Sequence, residues 1–221
     1  MKDHWRTIDD EEVDEGTMLL MQRGESDFVI MVDHLTLMTS ESNLSELELG
    51  RVPCMRLENR TDPRVLLAGL GMGYTLRAAL DVLPSTARVE VAEINTVIAY
   101  WCRGPMAILT DYALDDSRVD LYFEDVAKRI RLAADGSESY DAIILDLYQG
   151  TFEANDDPDH PHYGRAALER TRRALTPRGI LAVWTEETDP GFEGRLRAVG
   201  FDFETLRPDL EGPQHVVYLA W

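Results

Sequence analysis

The chain has 221 residues, 41 of them acidic and 22 basic, giving a formal charge of −19, and 44% are hydrophobic. That composition supports one sizeable folded core and excludes a disordered or fibrous chain. The charge repels phosphate backbones, which excludes nucleic acid as a natural partner and suits a cationic small molecule.

The opening stretch is acidic (Asp3, Asp9, Asp10, Glu11, Glu12, Asp14, Glu15), the wrong sign for a signal peptide. Residues 17–22 form a short apolar run. Residues 27–33 and 35–39 flank a tight Asp33-His34 turn, which predicts a hairpin. Ser42-Asn43 is placed to cap a short helix through Leu49 that carries Glu46 and Glu48. Pro53 and the Asn59–Pro63 stretch punctuate the chain. The reading places a boundary there, with a small β-hairpin and helix region over 1–60 and the main domain over 61–221.

From Arg64 the pattern becomes strand, turn, helix, repeated. Strands are expected at 65–68, 88–92, 119–123, 140–145 and 180–185. Helices are expected at 74–82, 96–103, 126–133 and 165–175. Another helix starts at Asp189-Pro190, with Asp as cap and Pro in the first helical position, and runs to about Val199-Gly200. Two further β runs, 201–206 and 215–220, have no helix between them and must be antiparallel. The expected fold is α/β. It is a doubly wound, mostly parallel seven-stranded sheet closed by an antiparallel hairpin, the class I methyltransferase pattern, with a small N-terminal β-hairpin extension.

Gly69, Gly71 and Gly73 lie between a strand and a helix, where glycines let the backbone turn sharply and approach a ligand. Glu93 follows twenty residues later at the end of the next strand, where a carboxylate accepts the two hydroxyls of a ribose. Asp125 ends the third strand, where an acid can take the amino group of adenine, and Asp146 ends the fourth. Acids at three successive strand ends suit a ligand with ribose hydroxyls, an amine and a cationic sulfur. They oppose a pyrophosphate, and the bulk of Tyr74 opposes a dinucleotide.

Several stretches resemble the spermidine synthase family. They are VLLAGLGMGYTLRAAL (65–80), VEVAEINTVIAYW (89–101), RVDLYFEDVAKRI (118–130) and YDAIILDLYQG (140–150). The resemblance implies that Gly69, Gly71, Gly73, Glu93, Asp125 and Asp146 bind an S-adenosyl-type donor, S-adenosylmethionine or its decarboxylated form. It gives Asp146 a catalytic role and puts Tyr148 and Gln149 beside the substrate. Three places depart from the family pattern. Gln149 replaces the second Asp of an Asp-x-x-Asp motif. Met72 replaces an Asp between the glycines. Glu46 or a neighbour stands where a tyrosine of the N-terminal helix helps hold the amine. Glu46, Glu48 or Asp33 are the candidates to make good the missing acid.

The expected function is therefore spermidine synthase-like transfer to a small, cationic amine acceptor by a homodimer. The alternatives are a small-molecule methyltransferase and a non-catalytic nucleoside-binding relative. An NAD-dependent oxidoreductase fits less well.

The loop 148–163 holds Glu153, Asp156, Asp157, Asp159, His160 and His162. It reads as a mobile polar lid whose spacing matches no metal site. No metal is expected elsewhere either. Cys54 and Cys102 cannot build a disulfide framework, which points to a reducing, cytoplasmic setting. No apolar run approaches the roughly 18 residues that a membrane helix needs.

Overall fold

The computed structural model describes residues 4–13, 16–136, 138–148, 150–208 and 215–221. The first part of the chain is an antiparallel sheet of four strands in the order β1-β2-β3-β4. These are β1 (Arg6–Val13), β2 (Gly16–Arg23), β3 (Asp27–Val32) and β4 (Leu35–Thr39). The expected hairpin is β3–β4, with Asp33 at φ +52° in its turn. The sheet has two more strands than one hairpin supplies. β1 has the sequence RTIDDEEV, in which acids displace the usual apolar alternation. It is tolerated as an edge strand, and charge on an edge discourages unwanted pairing.

Helix α1 (Leu44–Met55) runs six residues past the expected end and contains Pro53. Pro53 and Cys54 are buried, and α1 packs on helix α2 and on the large sheet. Tertiary packing thus carries the helix through a residue that ordinarily stops one.

The large sheet has the order β10-β11-β9-β8-β5-β6-β7. Its strands are β5 (Arg64–Ala68), β6 (Arg88–Ala92), β7 (Val119–Tyr122), β8 (Tyr140–Leu145), β9 (Leu175–Thr185), β10 (Phe203–Leu206) and β11 (Val216–Ala220). β5 to β9 are parallel, and β11 lies antiparallel between β9 and β10. Helices α1, α2 (Tyr74–Val82) and α3 (Thr96–Arg103) contribute to a core on one face, which the four-stranded sheet shares. Helices α4 (Val126–Asp135), α6 (Arg165–Ala174) and α7 (Pro190–Ala198) contribute to the core of the other face, with α5 (Glu153–Asp156) in the loop after β8. The expected doubly wound α/β fold is the fold observed.

Local chemistry sets the helix starts. Asp125 caps α4 by accepting from the Ala127 amide at 2.7 Å. Asp189 caps α7 by accepting from Gly191 and Phe192 at 2.9 and 3.1 Å. β9 begins at Leu175, five residues before the expected Ile180, and includes Pro177 and Gly179. Its pairing with β11 starts only at Leu181, so the missing Pro177 amide costs no bond on that side.

The sheet order reverses between β5 and β8. β5 continues outward to β6 and β7, whereas β8 returns to its other side, the kind of position at which open α/β sheets bind ligands. The loops after β5 and β8 touch at Gly69, which has φ +79°; a Cβ there would lie 1.9 Å from the Asp146 carbonyl oxygen. Among the described residues, no helix is long and apolar enough to cross a membrane.

Gly69→Ala should cost more than about 3 kcal/mol in urea unfolding, through clash and strain together. Gly194→Ala, in α7 with open space around it, should be neutral or stabilising by up to about 1 kcal/mol.

Candidate active site

The glycine loop, 69–73, links β5 to α2. Gly69, Gly71 and Gly73 have φ of +79°, +51° and +85°. Gly73 forms the N-terminal boundary of α2 in the left-handed conformation, so three backbone reversals pack into five residues. The Gly71 carbonyl accepts from the Cys102 thiol at 3.2 Å. A Cβ on Gly71 would come within 2.7 Å of the Met38 methyl group. β4 therefore lies directly over the loop. Met72, where the resemblance expects an acid, is buried in the core.

Glu93 is 7% exposed at the end of β6. Its carboxylate accepts from the Leu70 amide at 2.8 Å and the Asn95 amide at 2.7 Å. Glu93 therefore holds the glycine loop in shape.

Asp125 is half-exposed at the start of α4. Its Oδ1 accepts from the Ala127 amide and lies 2.9 Å from His162 Nε2. Burial pushes its pKa up, but the bonds from His162 and Ala127 and the charge of Arg131 hold it below the ordinary value.

Asp146 follows β8. Its amide donates to the Ala68 carbonyl at 2.9 Å, tying the end of β8 to β5. Its Oδ2 accepts from Thr75 Oγ1 at 2.5 Å. Burial above all, with the charges of Glu46 and Glu93, pushes its pKa up to about 7 against the opposing bond from Thr75. A carboxyl group whose pKa is raised toward neutrality is suited to proton transfer.

Tyr148 is 70% exposed. Gln149 lies outside the described residues. The loop that follows is not free: Thr151 and His160 are buried. Arg195 donates to the Thr151 and Tyr163 carbonyls at 3.0 Å and to Asn155 Oδ1 at 2.6 Å. His160 stacks on Tyr163 with ring centroids 5.3 Å apart. The loop is thus a docked element fastened to α7, and His162 reaches Asp125 from it. Among the described residues, no group of three or more His, Cys, Asp or Glu side chains is placed to hold a metal ion.

The structure brings Gly69, Gly71, Gly73, Glu93, Asp125 and Asp146 to the carboxyl edge of β5, β6, β7 and β8. Thr75, His162, Ser45, His215 and Trp184 were not singled out as site residues from the sequence. Only Thr75 carried a local signal, lying in the first turn of the helix that the glycine loop opens.

No family model matches the chain. In sequence it is 33% identical to the polyamine aminopropyltransferase of Clostridioides difficile strain 630 over 126 residues, covering 56% of this chain and 40% of that protein. It is 30% identical to the polyamine aminopropyltransferase of Moorella thermoacetica over 157 residues, covering 69% and 50%. In structure it matches the spermidine synthase of Thermotoga maritima with a TM-score of 0.70 at 18% identity, covering 97% of this chain and 72% of that one. The chain is spermidine synthase-like. A spermidine synthase in complex with the transition-state analogue AdoDATO gives 0.69 at 18% identity, again over 97% and 72%. Human methyltransferase-like protein 13 in complex with SAH gives 0.57 at 19% identity, over 82% and 80%. These likenesses place the fold in the class I methyltransferase group. The chain spans half or less of the length of the aminopropyltransferases it matches in sequence.

The raised pKa of Asp146 has a definite sign. Its protonated form is favoured by folding; that stabilisation is complete below the unfolded value near 3.8 and is lost as pH rises through about 7. Each unit of such a shift is worth about 1.4 kcal/mol. Asp146→Asn should therefore leave the melting temperature unchanged at pH 4 and raise it by at least about 4 °C at pH 8.5, each measured against the parent protein at the same pH.

Proposed function

We propose that the protein transfers an aminopropyl group from a decarboxylated S-adenosylmethionine-type sulfonium nucleoside to a small amine. The observation that carries this reading is the half-buried Asp146, bonded to Thr75 beside the glycine loop, with its pKa pushed up to about 7. Glu93 and Asp125 stand at the next two strand ends. The ribose would sit against Glu93 and the adenine amino group against Asp125, which leaves the sulfonium near Asp146. The sequence likeness to aminopropyltransferases supports the same assignment.

The chemistry asks little of the protein beyond position and proton control. An amine lone pair attacks the carbon attached to sulfur. The N–C bond forms as the C–S bond breaks, and the bonding pair goes to sulfur, giving a neutral thioether. An amine arrives protonated at neutral pH and must first lose a proton. Asp146, ionised in a fraction of molecules near pH 7, is placed to take it. Glu93 and Asp146 also set a negative field that attracts a cationic donor.

Met72 favours a second reading, methyl transfer from S-adenosylmethionine. Its apolar side chain lies in the core and offers no charge to the amine of an aminopropyl chain. The proposal also includes a homodimer in the cytoplasm, with residues 1–60 forming a cover over the site. Closed dimers are the commonest soluble assemblies, and the position of Met38 over Gly71 supports the cover.

Calorimetry with methylthioadenosine, S-adenosylmethionine and decarboxylated S-adenosylmethionine tests the reading. At least one should bind, and Glu93→Gln should weaken it by about tenfold or more while unfolding with normal cooperativity. A preference for the decarboxylated donor supports aminopropyl transfer, and a preference for the intact donor supports methyl transfer. Failure of all three to bind folded protein would remove both.

A further inference from the structure

The opposite edge of the large sheet carries a charged group that the proposed site does not use. β5 begins at Arg64 and β8 begins at Tyr140. Both residues stand at the amino ends of strands whose carboxyl ends lead to the glycine loop and to Asp146. Five strand steps put Arg64 about 16 Å from Gly69. A cavity of about 250 Å³ opens between these strand starts and the end of α4. Its walls include Arg64, Arg129, Leu132, Gly136, Glu138 and Tyr140.

Two guanidinium groups share one buried carboxylate here. Glu90 of β6 is 7% exposed. It accepts from Arg64 Nη2 at 2.8 Å, from Arg129 Nε at 3.1 Å and from the Tyr140 hydroxyl at 2.6 Å. The guanidinium carbon of Arg64 lies 5.1 Å from the centre of the Tyr140 ring, and that of Arg129 lies 4.0 Å from the centre of the Tyr122 ring. Both cations are therefore held in place. Glu90 balances one of them, and the remaining balance comes from more accessible acids. Glu124 lies 3.6 Å from Arg129 but is engaged by Lys128 at 2.5 Å. Glu138, whose side chain is 75% exposed, lies 3.0 Å from Arg64 Nη1. Arg64, Arg129 and Lys128 are neutralised by Glu90, Glu124 and Glu138 together; with Glu138 displaced, positive charge is in excess.

We propose that this cavity is a second ligand site and that it binds a small aliphatic carboxylate. The ligand's carboxylate takes the place of Glu138 on Arg64, on the side where Arg129 also lines the cavity. Its hydrocarbon chain covers Leu132, which is 57% exposed at the rim. A guanidinium fork matches a carboxylate through two parallel bonds. Arginine has five N–H donors, and Arg64 uses Nη2 toward Glu90 and Nη1 toward Glu138, so the fork survives the exchange. The charge of −19 opposes an anion at long range. Salt screens exposed charges beyond about 8 Å, and within that distance the guanidinium groups act directly. The volume is below the roughly 300–1,000 Å³ of sites for drug-sized ligands, which limits the chain to a few carbons. No covalent bond changes: Glu138 and the ligand exchange on one cation. The proposal stands apart from the sulfonium-nucleoside reading and does not rest on it.

The test is saturation-transfer NMR at neutral pH and fixed ionic strength, with hexanoate as the probe and acetate and inorganic phosphate as competitors. Hexanoate should bind the parent at least about fivefold more tightly than acetate, because its chain covers apolar surface. Glu138→Gln removes the internal competitor and should tighten hexanoate by about fivefold or more. Arg64→Gln should weaken it by at least about tenfold. Leu132→Ser should erase most of the advantage of hexanoate over acetate. Cooperative urea unfolding checks that each variant is folded. Glu138→Gln and Leu132→Ser change exposed side chains, so they decide the matter even if Arg64→Gln does not fold. Saturating methylthioadenosine should leave hexanoate binding unchanged. Hexanoate that binds neither the parent nor Glu138→Gln would overturn the proposal, and so would equal affinity in those two proteins. Phosphate binding more tightly than hexanoate would overturn the carboxylate assignment. Displacement of hexanoate by methylthioadenosine would put the probe in the nucleoside pocket and overturn the second site.

Discussion

Asp146 is a partly desolvated carboxyl group within the influence of two other carboxylates, Glu46 and Glu93. Ionising it there is expensive, because desolvation disfavours the charged form and like charges add to the cost. The surrounding architecture concentrates on this point. The Asp146 amide fastens β8 to β5, Thr75 from the first turn of α2 steadies the side chain, and Gly69 makes room for its carbonyl. Strand order matters for the same reason. Only where β5 is flanked by β6 on one side and β8 on the other do a glycine loop and an acid from a distant segment meet. A sheet with a packed core on each face can sustain such a local cost, and the result is a group whose pKa is raised to about 7.

Much of this was legible from the residues in order. The glycine loop, Glu93, Asp125 and Asp146 each directly follow an apolar strand, so strand position alone put them at one edge of the sheet. The bounds of α2 and α3 were legible too, because a glycine loop opens one and Gly104-Pro105 follows the other. Elements that break local rules were not legible. β1 has too many acids to read as a strand, α1 runs through Pro53, and β9 takes in Pro177 and Gly179. In each case tertiary pairing or burial outweighs a preference that a local reading weighs first.

The contact between α1 and the far strands was hidden for a different reason. Ser45 and His215 are 170 positions apart and touch because α1 lies across the far strands of the sheet. Neither sits in a motif, and a lone histidine before a strand has no spacing to betray it. His162 is similar: it is separated from Asp125 by 37 positions and arrives on a loop that looks merely polar. That loop's order comes from Arg195, whose guanidinium fork gathers two carbonyls and an amide side chain at once.

The bond between His162 and Asp125 occupies one oxygen of the carboxylate that the proposed function assigns to the ligand. Under the proposed function, a purine amino group approaching Asp125 would have to share or displace an imidazole already seated there, so its affinity would be a difference between two bonds. Occupancy of the pocket would then be felt in the 150–164 segment through His162, and beyond it in α7 through Arg195. Trimming His162 to a smaller side chain would free Asp125 and remove this tether. The nucleoside would then bind at one end of the sheet without its arrival being registered at the other.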